Sequence, residues 1–166
     1  EASDNVRRNF TRLCDSAGFK VEDLVLSDQV HGDICRSVGY GDRGSGIVSD
    51  GDIHRTDALT TDSRGVALCI FTADCVPVFL YDPENAAIGL CHAGWRGVVN
   101  GIVSKTVSEM KRDYGSRPSS VMAAIGPSIG PCCFRVGRDL ADRFRGIFGG
   151  TGNIVIEDDY GFRIDL

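Results

Sequence analysis

The sequence predicts an α/β fold in which a mixed β-sheet is covered by helices. Apolar runs of strand length outnumber the stretches with helical periodicity, and a Pro-containing turn at residues 82–85 joins two of these runs as tightly as in a hairpin. The 166 residues are 42% hydrophobic and 25% charged, which is enough for one domain with a real core. No repeat or linker divides the chain, so we predict a single domain over residues 1–166.

The helices are predicted from apolar residues spaced three or four apart, and the strands from unbroken apolar runs. A first helix should end at Gly18, a second should run from Val98 to near Gly115, and a third should span residues 138–148. Strands are predicted at residues 21–30, 66–71, 76–81, 87–91, 121–125, 154–156 and 162–166. Residues 39–52 are rich in Gly, Asp and Ser and predict a loop, whereas residues 56–61 favour no single structure.

Composition and charge exclude several functional classes. The net charge of −5, without a cluster of Lys or Arg, argues against nucleic-acid binding. The longest apolar runs are too short to span a bilayer, and no secretory leader opens the sequence, so we expect a cytoplasmic protein. Because the chain begins at Glu1 without Met and stops at Leu166 within a predicted strand, we also expect it to be truncated at both termini. The sequence does not indicate an oligomeric state.

The seven cysteines are many for this length. Their number is odd and several lie in apolar stretches, which favours free thiols in a reducing compartment over a disulfide scaffold. Cys69 and Cys91 have apolar neighbours and are expected in the core. The adjacent pair Cys132 and Cys133 follows a Gly/Pro-rich turn, and its role, structural, metal-binding or redox, stays open.

Three side chains with metal-binding chemistry lie where predicted strands end: His31, Cys75 and His92. Rigid strands commonly hold functional groups at such ends. Two imidazoles and a thiolate suit Zn²⁺, and three protein ligands leave a fourth position open for water or substrate, as in catalytic zinc sites. The alternative from the residues alone is a buried thiol with two hydrogen-bonded histidines, because the separations in sequence match no short metal motif.

Three further residues are candidates for supporting roles. Asp57 and Asp74 could orient a metal-bound histidine, or they could simply cap turns. Arg96 opens a predicted helix and could bind an anion together with backbone N–H groups, or it could pair with the acidic surface.

Five sequence blocks, in this order, resemble the laccase-domain family, also called the YfiH-like or multicopper polyphenol oxidase family. They cover most of residues 29–137 and read Gln-Val-His-Gly (29–32), Thr-Asp-Ala-Leu (56–59), Thr-Ala-Asp-Cys-Val-Pro (72–77), Cys-His-Ala-Gly-Trp-Arg-Gly (91–97) and Ile-Gly-Pro-Ser-Ile-Gly-Pro-Cys-Cys (125–133).

The resemblance implies a four-layer α/β/β/α sandwich with mixed sheets. It implies one Zn²⁺ per chain held by His31, Cys75 and His92. It also implies phosphorolysis of adenosine, inosine, guanosine and methylthioadenosine, together with adenosine deamination, so that purine nucleosides and phosphate are the expected partners. Members of the family usually carry further segments before and after the region seen here.

We therefore predict a zinc-dependent purine nucleoside phosphorylase with adenosine deaminase activity. One alternative is a copper-dependent polyphenol oxidase, although three histidines in the chain cannot supply a multicopper cluster. The other is a metal-free hydrolase or deamidase in which Cys75 is the nucleophile and His92 its base.

Overall fold

Ten strands and four helices make up the computed structural model, which describes residues 2–149 and 154–166. The helices are α1 (Ala2–Ala17), α2 (Trp95–Val99), α3 (Ile102–Tyr114) and α4 (Arg138–Phe148). The strands are β1 (Leu24–Leu26), β2 (Cys35–Ser37), β3 (Ala58–Thr61), β4 (Ala67–Cys69), β5 (Val76–Asp82), β6 (Ala87–Ala93), β7 (Met122–Ile125), β8 (Arg135–Val136), β9 (Val155–Asp158) and β10 (Gly161–Ile164).

The largest sheet has five strands in the order β2-β3-β6-β5-β7. Strands β2 and β3 run parallel, and every other pair of neighbours is antiparallel. A parallel pair, β1 with β4, and an antiparallel sheet in the order β8-β10-β9 complete the strands. The prediction of an α/β fold with mixed sheets is confirmed.

Helix α3 packs on one face of the five-stranded sheet. Ile102, Thr106 and Met110 recur along its inner side and are fully buried. They meet the sheet at Gly89 of β6, where a Cβ atom would lie 3.2 Å from the Met110 sulfur and 3.3 Å from a Thr106 methyl. The small residue therefore lets the helix approach the sheet closely, and this contact forms the main core.

Two of the predicted elements differ from those observed. The helix predicted from Val98 to Gly115 is two helices, because Gly101 has a φ of +77° and ends the regular turn between α2 and α3. The strand predicted over residues 21–30 is reduced to β1. After it, the Asp28 N–H donates to the carbonyl oxygen of Ile53, and the N–H groups of Val30 and His31 donate to a carboxylate instead of a neighbouring strand. Local sequence patterns predict neither β2 nor β8, and they leave β3 undecided.

Cys91 is fully buried, whereas Cys69 is only half-buried beside an apolar cluster that contains Cys14. None of the helices among the described residues has both the length and the apolar character needed to cross a membrane.

Candidate metal centre

Three predicted ligands converge at one end of the five-stranded sheet. Cys75 directly precedes β5, and His92 lies near the end of β6. The antiparallel pairing of these strands aligns Val76 with Ala93, so the start of β5 lies beside the end of β6. His31 approaches from the loop after β1, and its ring meets the His92 ring at a centroid distance of 4.7 Å. One ligand atom from each of the three side chains lies within 4.8 Å of the other two, and this group could hold a metal ion.

The carboxylate of Asp57 holds the loop that carries His31. Asp57 is fully buried, and its oxygens accept hydrogen bonds from three consecutive backbone N–H groups. The donor–acceptor distances are 3.2 Å from Val30, 2.9 Å from His31 and 2.7 Å from Gly32. His31 itself has a φ of +58°, a left-handed conformation that is uncommon for a residue with a side chain. The anchored loop compensates for that strain at the candidate ligand.

The same carboxylate also bonds to the second histidine. An Asp57 oxygen lies 2.8 Å from Nδ1 of His92, whose side chain is only 3% exposed. With Nδ1 donating to the carboxylate, Nε2 is the ring nitrogen with a free lone pair. Metal-binding histidines in proteins commonly have such a carboxylate partner, which fixes the ring and its tautomer. The geometry is therefore the one expected if Asp57 orients His92, the role suggested from the sequence.

Cys75 is half-buried in a setting that disfavours its thiolate. Desolvation by burial raises the pKa of this thiol, and the negative charges of Asp74 and Asp57 raise it further. A neutral thiol is consequently the favoured form unless a cation lies beside the sulfur. Thiolates are the form in which cysteines bind metals, so a cation at this position would offset the unfavourable surroundings.

Glycines allow the elements of the site to approach one another. A Cβ atom on Gly94 would lie 3.0 Å from the Cys75 sulfur and 3.2 Å from a ring carbon of His31. A Cβ on Gly97 would lie 2.9 Å from the carbonyl oxygen of Gly32. The Gly-Trp-Arg-Gly segment therefore brings the start of α2 against both the thiol and the His31 loop.

A cavity of about 650 Å³ opens next to the three candidate ligands. Two loops form its walls, and the side chain of Gln29 joins them. Its amide nitrogen donates to the Phe71 carbonyl oxygen at 2.9 Å, and its amide oxygen accepts from the Phe71 N–H at 2.7 Å. The lining residues are Ser27, Asp28, Gln29, His31, Phe71, Thr72, Ala73, Asp74, Cys75 and His92.

Sequence patterns alone assign no functional role to Gln29 or Phe71. Gln29 lies two residues before the candidate ligand His31, and this closeness in sequence is the feature that could have indicated a role at the site. Phe71 is 57% exposed at the cavity wall, although the apolar run that contains it predicts a buried strand residue. Its ring meets the edge of Phe10 from α1 at a centroid distance of 6.0 Å.

The other two predicted residues are Asp74, which directly precedes Cys75, and Arg96 of α2. Asp74 is exposed on the cavity wall, and its backbone carbonyl accepts a hydrogen bond from Ile129 at 2.9 Å. Arg96 is exposed on α2, with its guanidinium 4.4 Å from the centroid of the Trp95 ring, and it is not among the residues that line the cavity. The guanidinium of Arg143 from α4 lies 6.0 Å from the same ring. Neither arginine forms an ion pair within the described part of the chain.

Comparisons with known proteins agree with this architecture. A family model described as multi-copper polyphenol oxidoreductase laccase matches residues 1–166. A purine nucleoside phosphorylase of Bacteroides thetaiotaomicron is 38% identical in an alignment of 152 residues that covers 87% of this chain and 54% of that protein. The adenosine deaminase RL5, from an unknown prokaryotic organism, is 34% identical over 144 residues, covering 85% of this chain and 54% of RL5.

A solved structure shows the same fold. The crystal structure of YlmD from Geobacillus stearothermophilus superposes with a TM-score of 0.91 at 34% identity, over 98% of this chain and 62% of that chain. This chain thus spans about half the length of the curated relatives that it matches. With a family model matching along its length and a shared fold, the chain belongs to the laccase-domain family, described as multi-copper polyphenol oxidoreductase laccase.

Proposed function

We propose that this protein is a zinc-dependent purine nucleoside phosphorylase that also deaminates adenosine. The observation that carries the proposal is the convergence of His31, Cys75 and His92, whose ligand atoms lie within 4.8 Å of one another beside an open cavity. The names of the relatives supply the reaction: one is a purine nucleoside phosphorylase and another is an adenosine deaminase.

The donor set fits zinc. Two imidazoles and one thiolate are among the ligand combinations of catalytic zinc sites, and three protein ligands leave a coordination position open. Asp57 occupies Nδ1 of His92 and so leaves Nε2 for the metal. A bound Zn²⁺ would supply Lewis acidity and a lowered pKa for a coordinated water. The chain's own contribution is to hold the three donors in place through the buried Asp57 carboxylate.

The cavity suits a purine nucleoside. Its volume of about 650 Å³ is within the usual range for small-molecule sites. The half-exposed Phe71 ring offers an apolar face on which a planar base can stack, and its contact with Phe10 restricts its movement. The carboxylates of Asp28 and Asp74 line the same cavity and can accept hydrogen bonds from ribose hydroxyls.

The phosphate co-substrate needs positive charge, and two arginines offer it. The guanidinium groups of Arg96 and Arg143 lie 4.4 Å and 6.0 Å from the centroid of the Trp95 ring, and neither forms an ion pair with a carboxylate among the described residues. Arg96 lies two residues after Gly94, where a Cβ atom would be 3.0 Å from the Cys75 sulfur. We assign phosphate binding to Arg96, with Arg143 in support. Substituting Arg96→Ala should raise the KM for phosphate about tenfold or more, whereas an unchanged KM would remove Arg96 from the mechanism.

A multicopper oxidase would need a different metal complement. Among the described residues, a single group of three side chains has the geometry to hold a metal ion, whereas multicopper chemistry needs several such groups. A metal-free cysteine hydrolase would need a Cys75 thiolate, which burial and two carboxylates disfavour. Activity that survives a strong chelator would favour the metal-free alternative, and copper in the purified protein would favour the oxidase.

The test is phosphate-dependent turnover of inosine and deamination of adenosine by the zinc-loaded protein. We expect hypoxanthine and ribose 1-phosphate from inosine only when phosphate is present, and inosine and ammonia from adenosine. Cys75→Ala should lose at least 100-fold in both activities, whereas the matched Cys69→Ala, outside the cavity, should retain them. Phosphate-independent cleavage, or full activity in the presence of a strong chelator, would contradict the proposal.

A further inference from the structure

Two neighbouring thiols lie at the surface outside the candidate metal centre. The sulfur atoms of Cys132 and Cys133 are 3.1 Å apart, and both residues are exposed. Neither is part of the metal-binding group or of the cavity wall. The hydrogen bond with Cys132, and then the charge of Cys132, raise the pKa of the Cys133 thiol.

A tight turn holds the pair in place. The N–H groups of Cys133 and Phe134 both donate to the carbonyl oxygen of Gly130, at 3.0 Å and 3.1 Å. On one side, Ile129 donates to the Asp74 carbonyl oxygen, and on the other, Ile164 of β10 donates to the Phe134 carbonyl oxygen. Two thiols fixed side by side react with each other at a high effective concentration, so a second step within the pair is faster than a second encounter with a reagent in solution.

The other cysteines outside the metal centre are less accessible. Cys14 and Cys91 are buried, and Cys35 and Cys69 are half-buried. Burial raises the pKa of the Cys35 thiol to about 12 and that of Cys91 to about 11. Because the thiolate is the nucleophile in disulfide exchange, these residues react slowly compared with an exposed pair.

We propose that Cys132 and Cys133 form a reversible redox site that exchanges with small disulfides such as oxidised glutathione. The thiolate of one cysteine attacks a sulfur of the small disulfide, which forms a mixed disulfide and releases one small thiol. The second cysteine then attacks the mixed disulfide, closes the Cys132–Cys133 bond and releases the second small thiol. The protein loses two protons and two electrons, and the small disulfide gains both as it becomes two thiols.

The closed disulfide should be easy to reduce. Cα atoms joined by a trans peptide are about 3.8 Å apart, below the roughly 4.4–6.8 Å that disulfides usually span. Strained disulfides of this kind are labile, and reduced thiols reopen them readily. The dithiol therefore dominates in a reducing environment, and the disulfide forms when the proportion of oxidised glutathione rises.

The experiment is native treatment with oxidised glutathione, followed by mass spectrometry of the intact protein and of its peptides. We expect the wild-type protein to lose two hydrogen atoms without keeping a glutathione adduct. This loss should be at least ten times faster than the modification of Cys14, Cys35, Cys69 or Cys91. The new bond should map to Cys132–Cys133, and reduced glutathione should reverse it. Cys132→Ser and Cys133→Ser lack the second thiol and should each accumulate one glutathione adduct at the remaining cysteine.

Cys69→Ala is the matched control and should close the disulfide at the wild-type rate. Because both cysteines of the pair are exposed, the two serine variants should fold normally, which circular dichroism will check. A stable glutathione adduct on the wild-type protein, a disulfide that joins either residue to a different cysteine, or a pair no more reactive than Cys69 would each overturn the proposal.

Discussion

Replacing Asp57 by Asn removes the charge that connects the His31 loop to the His92 ring. In the wild-type protein one carboxylate oxygen accepts from the His31 N–H and from His92, and the other accepts from Val30 and Gly32. An amide has one oxygen, so whichever way the Asn side chain is turned, two of the four donors face an NH₂ group.

The loss can be estimated from these bonds. Hydrogen bonds to a charged group contribute about 1.5–3 kcal/mol each, so two lost bonds cost about 3–6 kcal/mol. A neutral amide is less costly to bury than a carboxylate, which offsets part of this loss, and we expect a net decrease of about 2–4 kcal/mol in the free energy of unfolding. Removing the partner of a metal-binding histidine typically weakens metal affinity about 10- to 100-fold, and we expect the same for zinc here.

The assay is a zinc competition titration together with urea unfolding of the zinc-free protein. Asp74→Asn is the matched control, because it makes the same chemical change on the exposed wall of the same cavity. It should alter zinc affinity less than about threefold and stability by about 0.5 kcal/mol or less. Wild-type zinc affinity in a folded Asp57→Asn protein would refute the assignment of Asp57 as the residue that orients the ligands.

Three further predictions follow from individual contacts. Gly94→Ala places a methyl group 3.0 Å from the Cys75 sulfur and should weaken zinc binding at least tenfold. The control Gly137→Ala, at the equivalent helix start with no atom within 4 Å, should leave zinc affinity unchanged. Equal zinc affinities of the two variants would contradict this prediction. Gln29→Ala loses two neutral hydrogen bonds and should destabilise the protein by about 1–3 kcal/mol in urea unfolding. Gln29→Glu should recover part of this loss. Wild-type stability in both variants would show that the Gln29 side chain does not hold the two cavity walls together. Burial raises the pKa of the Cys35 thiol from 9.0 to about 12, so this thiol keeps its proton in the folded state at a pH where the unfolded state has released it. The free energy of unfolding should therefore fall by about 1.3 kcal/mol between pH 8 and pH 10, and it should fall less in Cys35→Ala. An equal pH dependence of stability in the two proteins would contradict the raised pKa.

The sequence was informative wherever one local pattern decided the structure. The hairpin of β5 and β6 follows from two apolar runs around a turn, and α4 matches the predicted residues 138–148. The three candidate ligands were recognisable because each lies next to the end of a predicted strand and beside a small residue or turn, although His31 lies in the loop after β1 in the structure. The convergence of these side chains depends on the pairing of β5 with β6, which sequence spacing alone does not specify.

Long-range hydrogen bonds account for most of what was missed. Residues 21–30 predict one strand, yet after β1 the N–H groups of Val30, His31 and Gly32 bond to the carboxylate of Asp57, 25–27 residues away. Gln29 bonds to Phe71 across 42 residues, so no local pattern could assign the two residues to opposite walls of one cavity. The break between α2 and α3 is the exception, because Gly101 was visible in the sequence and the helical periodicity on either side outweighed it.

The measurement that tests the account most directly is the metal content of the purified protein, determined by elemental analysis for the wild type, His31→Ala, Cys75→Ala and the control Cys69→Ala. We expect about one zinc per chain in the wild type and in Cys69→Ala, and a loss of most of that zinc in the two ligand variants. Copper in place of zinc would favour the polyphenol oxidase over the proposed function. A wild-type protein that binds no metal even when zinc is supplied would contradict the central claim.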